Sequence, residues 1–322
     1  MKKILLLSLL SITVLACNTK NEIIKPRSTG RINNLLIVVD NEDWTGKIGD
    51  SLRATFAKDI LGFPQGEPTF TLSQIALVNF AKILKPSRNI LFVSYGKKKS
   101  FNVVTDKYAT PQKIVSISAK NKEELVLHLI DKADEIIRIF KDSDFKIYEK
   151  TVLKNFWDIE NIKTFNNLNA NIKIPYEYRK VYDTLNYIWF RKEIPQGSLN
   201  LQMYAVPITT DEDLKGENII INRNIKAKEY VVGSKEGMYM ITEEAFTPLR
   251  FDTELVGKKT FETRGTWEME GDFMAGPFLN YSVLDKKNNR VIVVEGFVYA
   301  PNFRKRDYMF ELEILLKTLV IE

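Results

Sequence analysis

Carboxylates, one histidine and a basic triplet are the residues whose types and spacing could do chemistry in this 322-residue sequence. Glu268 and Glu270 flank Met269 in a strand-like run, which puts both carboxylates on one face. With Glu295 from a nearby run they would make a two-carboxylate hydrolytic site acting on glycan or peptide. The same spacing describes an exposed sheet surface, and that is the preferred reading. His128 is the single histidine, so any Ser-His-Asp or Cys-His arrangement would have to use it. It lies near the edge of an apolar helical stripe, with Glu124 and Lys132 one turn away, and reads as a surface residue. Asp40 and Asp43 follow the first strand and offer hard oxygen ligands for magnesium or calcium. No second carboxylate motif supports that alternative, so the expectation is a solvated loop, no metal and no other cofactor. Arg304, Lys305 and Arg306 open the last helix, where three cations oppose the helix dipole unless an anion sits there. They would contact a lipid headgroup, an anionic glycan or an acidic partner. The simpler expectation is that Asp307 caps the helix and the triplet lies outside it in a solvated loop.

Cys17 is the only cysteine, which excludes an intramolecular disulfide. It stands at the end of a leader with Lys2 and Lys3 as a basic head and an apolar run from Ile4 to Ala16. That run is too short for a hydrocarbon core, which needs roughly 20 residues, and fits the apolar region of a secretory signal. Val14-Leu15-Ala16-Cys17 resembles the lipobox of bacterial lipoproteins, with Leu15 looser than the usual small residue. The resemblance implies cleavage before Cys17 and thioether attachment of lipid to its sulfur. Two or three acyl chains then make a lasting anchor, since each buried methylene contributes about 0.8 kcal/mol. Asn18 after the cysteine implies, by the same analogy, transport to the outer membrane, with the body facing the periplasm.

The elements that must position these residues follow from patterning. The apolar share of 44% and charged share of 27% are ordinary for a globular chain, and the net charge of +6 is too mild to imply nucleic acid. Residues 1–16 read as the signal peptide and 17–31 as a flexible tether, broken by Pro26 and Gly30. Residues 32–165 then form a first domain and 166–322 a second. In the first, Leu35–Val39, Asn89–Tyr95, Phe101–Asp106 and Gln112–Ser118 read as strands. Ser51–Ile60, capped by Asp50, and Gln74–Leu84 read as helices, as do Lys122–Lys141 and Phe145–Ile162. The second domain alternates apolar and polar residues through TLNYIWFRKE, SLNLQMYAVPI, KTFETRGTWEME, GPFLNYSVLD and NRVIVVEGFVYA, an antiparallel meander. One helix is expected over Asn218–Tyr230, and another at the end buries Leu312, Leu315, Leu316 and Leu319. Runs of strands followed by helices argue for an α+β fold made of two halves, each with an antiparallel sheet and packed helices.

The stretches GRINNLLIVVDNEDWTGKIGDSLR, FPQGEPTFTLSQ, SRNILFV and KKNNRVIVVEGFVYAPNFRKRDYMFELE are similar to one family of Bacteroidota lipoproteins, domain of unknown function 4837. The likeness extends over nearly the whole chain after Cys17. It implies an exported lipoprotein and carries over no site residues. The second half also resembles, at fold level, the Mog1/PsbP-type α+β sandwich. These readings converge on a lipid-anchored envelope protein that acts as a non-catalytic binding or structural module, with membrane, envelope proteins or glycans as partners. The carboxylate hydrolase is the alternative.

Overall fold

The computed structural model describes residues 25–208 and 216–322; Cys17 and the leader lie outside them. The first half begins with strand β1 (Asn34–Val38), helices α1 (Asn41–Thr45) and α2 (Lys47–Phe56), and β2 (Thr71–Ile75). It continues through β3 (Asn89–Tyr95), β4 (Ser100–Thr105), β5 (Lys113–Ala119), α3 (Lys122–Asp131) and α4 (Ala133–Val152). Its five strands are ordered β2-β1-β3-β5-β4. The sheet is mainly parallel, with only β4 antiparallel, which corrects the antiparallel sheet expected for this half. Periodicity marks strands but not their partners: β5 inserts between β3 and β4, so Lys97–Lys99 joins strands that are not neighbours. One face buries Leu35, Ile37, Leu91, Val115 and Ile117 against Leu52 and Phe56 of α2 and Leu125, Leu129, Ile136 and Phe140 of α3 and α4.

Three helices differ from expectation. Asp50 lies inside α2 rather than capping it. The segment from Gln74 supplies the end of β2 and a single tight turn at Leu77–Asn79, not a helix. The long helix stops at Asp131, restarts at Ala133 and runs to Val152 with no Pro or Gly to mark the break. Asn121 caps α3, its side-chain oxygen accepting the Glu124 N–H at 2.9 Å.

The second half comprises α5 (Lys163–Leu168), β6 (Ala170–Asn171), β7 (Arg179–Asp183), β8 (Tyr187–Ile194), β9 (Gly197–Pro207) and α6 (Gly216–Tyr230). Then come β10 (Tyr239–Thr242), β11 (Leu249–Leu255), β12 (Lys258–Glu270), β13 (Ala275–Asp285), β14 (Arg290–Tyr299), α7 (Arg306–Leu316) and β15 (Val320–Ile321). Its eight-stranded sheet has the path β10-β12-β13-β14-β9-β8-β7, with β11 on β12, and its pairings are antiparallel as expected. One face packs on α7 through Leu312, Leu315 and Leu316, and the other carries Trp267, Phe278 and Phe297 toward Ala227 of α6. Ile162 and Phe165 belong to the core under α7, so a boundary at 165/166 cuts α5 within the second body. Residues 26–31, expected as tether, are fastened to the first sheet: Ser28 and Thr29 donate backbone hydrogen bonds to Thr110 and Pro86, and Arg88 donates to Thr29.

The two halves are joined at the start of α7. Glu67, buried in the loop before β2, accepts the backbone N–H of Lys305 at 2.6 Å and of Arg306 at 2.8 Å. The Arg306 guanidinium returns to Pro68 O at 2.9 Å and Thr71 Oγ1 at 3.2 Å. Asn33 binds Asp307 Oδ1 at 2.9 Å and accepts from Lys141 Nζ at 2.6 Å. A carboxylate on the first N–H groups of a helix satisfies donors that have no partner within the helix. Replacing Glu67 with alanine is expected to lower unfolding stability by about 2 kcal/mol. Equilibrium urea denaturation checks this, and an unchanged midpoint would show that the junction does not depend on Glu67.

Candidate functional site

A concavity of about 850 Å³ lies at the start of the parallel strands, between the sheet edge and α4. Six cations line it: Arg27, Arg88, Lys113, Lys146, Lys150 and Lys154, against one carboxylate, Asp142. Helix α4 buries Ile136 and Phe140 against the sheet, and Lys146 and Lys150, further along it, are exposed. With Lys154 just past the helix end they recur every four residues, a spacing of about 6 Å along a helix axis. None of the three forms an ion pair among the described residues. Like charges at this spacing destabilise a helix, and only Lys150, in the last turn, is offset by the dipole.

Arg88 forms the inner wall. Its backbone is fixed on both sides, donating to Thr29 O at 2.9 Å and accepting from Lys113 N at 2.8 Å. Its Nη1 is 3.5 Å from Asp144 Oδ1, with 15% of the side chain exposed. Yet its Nε and Nη1 are buried and make no hydrogen bond. Asp144 is fully buried and accepts from Asn33 N at 2.7 Å and Asn89 Nδ2 at 3.1 Å. Burial pushes its carboxyl up, against those two bonds and the Arg88 charge. The groove is thus strongly electropositive, with one guanidinium rigidly placed and only partly satisfied. Sequence reasoning missed it because its cations come from four separate stretches; the Lys146, Lys150, Lys154 spacing was the one local signal.

The residues singled out from sequence lie elsewhere. Asp40 is exposed and Asp43 buried, in a cleft of about 500 Å³ at the opposite end of the sheet, where β1 and β3 finish. That is the switch point of the strand order, the usual place for a ligand in an open parallel sheet. Asp43 Oδ1 accepts from Tyr95 OH at 2.8 Å and lies 3.4 Å from Lys122 Nζ, so an ammonium stands where a metal ion would need open coordination. Burial and Asp43 together push the Tyr95 hydroxyl well above its ordinary range. His128 is buried rather than on the surface, its Nδ1 3.2 Å from Ser118 O.

Glu268 and Glu270 do not join Glu295. They alternate with Trp267 and Met269, which point into the core facing α6. Glu295 pairs across β13 with Asn280, and Asn280 with Thr263, five residues before Glu268, so the pleat puts Glu268 and Glu270 on the other face. Glu295 itself is fully buried. It binds Arg223 Nε at 2.9 Å, Gln202 Nε2 at 2.9 Å and Asn280 Nδ2 at 2.9 Å. Arg223, also fully buried, donates to Thr242 Oγ1 at 2.9 Å and lies 3.9 Å from the Phe278 ring centroid. Nothing in the helical pattern of α6 announces Arg223 as a core residue. Of the basic triplet, only Arg304 is exposed; Lys305 and Arg306 are buried at the junction with Glu67. Helix α7 starts at Arg306, with Asp307 in its first turn, so neither the solvated triplet nor the Asp307 cap is what forms.

Two family models match the chain. Domain of unknown function DUF4837 matches residues 158–318, half of the sequence. The chain belongs to the DUF4837 family. A second model, domain of unknown function DUF8532, matches residues 28–152. The likeness to DUF4837 drawn over nearly the whole chain therefore holds for the second half, while the stretches around Leu35, Phe63 and Ile90 fall in the DUF8532 half, which carries the groove. No curated protein matches. Among solved structures, the DUF4837 chain is similar to LpqN of Mycobacterium tuberculosis, a protein described as involved in cell envelope biogenesis. The identity is 9%, the TM-score 0.29, and the match covers 47% of this chain and 82% of that one. A likeness at that score carries no argument about the site.

Two outcomes test this electrostatic arrangement. Glu295→Gln removes one partner of a buried ion pair and is expected to cost roughly 3–5 kcal/mol in urea denaturation; a near-neutral result would refute the network. Lys141 lines a second cavity, between the halves, and burial, then the Arg306 charge, lowers its pKa from 10.5 to about 8. Between those values the unfolded chain holds more protons on this group than the folded one, so stability rises with pH. From pH 8 to 9, below the ordinary tyrosine pKa of about 10, the Lys141 contribution rises by roughly 1 kcal/mol. Thermal melts across that window should show the natural chain gaining stability relative to Lys141→Met; equal slopes would contradict it.

Proposed function

We propose that the chain is a non-catalytic binding module of the cell envelope, held at the periplasmic face of the outer membrane by lipid on Cys17, with the basic groove as its binding surface. The observation that carries this reading is the convergence of six cations on one concavity of about 850 Å³, among them the rigidly held Arg88. Arg27 and Ser28 line the groove themselves, so the chain leaves the body beside it. Seven residues then lie between Cys17 and Lys25, a span of at most roughly 29 Å when extended. A lipid on Cys17 would hold the groove within about that distance of the bilayer surface. The lipobox-like VLAC sequence and the apolar run before it support the anchor. The Bacteroidota lipoprotein context and the Mog1/PsbP-like form of the second half belong to the same proposal.

Growth of producing cells with radiolabelled palmitate tests the anchor. The natural chain is expected to take up label and sediment with outer membranes. Cys17→Ser is expected to lose the label and leave the outer-membrane fraction. Equal labelling of the two chains would remove the lipid from the proposal.

A further inference from the structure

We infer that the groove is a phosphate site, shaped for a phosphate group joined to an apolar portion; this rests on the groove being the binding surface. Three features lead to phosphate rather than to a general basic face. First, Arg88 holds a planar guanidinium at the inner wall, its Nε and Nη1 buried with Nη1 3.5 Å from Asp144 Oδ1, and its main chain pinned by Thr29 and Lys113. A fixed guanidinium charge beside the cavity attracts a phosphate, and preorganisation reduces the ordering cost of binding. Second, the charge count exceeds what one carboxylate needs. Lys146, Lys150 and Lys154 stand as a column of point charges facing the same cavity, and their mutual repulsion is relieved by an anion of higher charge density. The carboxylate nearest Arg88, Asp144, also accepts from Asn33 N and Asn89 Nδ2.

Third, the lining is not purely polar. Val103, Ile139 and Ile147 share the cavity with the cations, and Val103 is exposed. A volume near 850 Å³ is far larger than a phosphate ion and lies in the range that encloses a small organic ligand. Cations on the rim with aliphatic side chains between them suit a ligand that presents phosphate at one end and hydrocarbon at the other. A phospholipid headgroup with its glycerol portion has that chemistry, and a soluble phosphate shares its charged part. The cleft at the other end of the sheet lacks these properties, since four carboxylates face its two lysines and Lys122 is already paired with Glu42 and Asp43.

The test uses the full chain in a neutral detergent and titration calorimetry with four probes: short-chain phosphatidylglycerol, short-chain phosphatidylcholine, inorganic pyrophosphate and an oligogalacturonate that carries carboxylates only. Phosphatidylglycerol is expected to bind at least ten times more tightly than phosphatidylcholine. Tighter binding of phosphatidylglycerol than of pyrophosphate assigns the phosphate to a lipid headgroup, and the reverse order assigns it to a soluble ligand; either supports the site. Lys146→Gln with Lys150→Gln changes two exposed side chains and is expected to weaken phosphate binding at least tenfold. Arg88→Lys keeps a charge beside Asp144 but removes the rigid planar guanidinium, and a similar loss is expected. Phosphate affinity unchanged in both variants would overturn the site. Binding of oligogalacturonate alone would overturn phosphate while keeping the groove as a binding surface. Binding of none of the four would remove both, whatever the result of labelling at Cys17.

Discussion

Glu67 reaches from the loop before β2 to the first two N–H groups of α7, and the relation between the halves depends on that contact. The N-terminus of α7 would otherwise present unsatisfied donors and the positive end of a dipole beside the charges of Lys305 and Arg306. A carboxylate supplied by the other half answers both. Arg306 then spends its guanidinium on Pro68, Thr71 and Asp307, and Asn33 links Asp307 to Lys141 and Asp144. The chain of contacts therefore runs from the helix start through Asn33 to Asp144, and so to Arg88 at the inner wall of the groove. The DUF8532 and DUF4837 halves are covalently joined near residue 155, but this polar seam, with Ile32, Phe145, Phe310 and Ile314 packed beside it, fixes the groove-bearing half against its neighbour.

The second half uses its buried charge differently. Arg223 and Glu295 are both sealed under α6, and Gln202, Asn280 and Thr242 take up most of their remaining hydrogen-bonding capacity. A pair held this tightly contributes little net stability over an apolar equivalent, yet losing one member leaves an uncompensated charge in the core. It also removes Glu295 from any role that needs access to solvent. Glu268 and Glu270 remain on the opposite pleat face, without a third carboxylate from the set that sequence spacing suggested.

The two ends of the parallel sheet contrast in the same terms. At the switch point between β1 and β3, Lys122, Asp43, Glu42 and Tyr95 pair with one another. At the starting ends of the strands, Arg88 and the lysine column face a common space with little internal neutralisation. Unbalanced charge around a concave surface attracts counter-ions more strongly than a flat array of the same residues, because the low-dielectric walls focus the field.

Local pattern by itself determined the strands of the second half, the helices α6 and α7 and the two-half α+β plan, because alternation and helical spacing are properties of neighbouring residues. It also marked the conflict at Arg304–Arg306, since three cations at a helix start call for an anion. Only the tertiary structure decided that the anion is Glu67, more than 200 residues earlier, that β5 inserts between β3 and β4 to make the first sheet parallel, and that His128 and Arg223 are buried. Strand direction, burial of a charged side chain and the assembly of a groove from Arg27, Arg88, Lys113 and Lys146 all depend on contacts between distant segments. Such contacts leave no periodic trace in a single sequence, which is why many of the elements were legible from it and the groove was not.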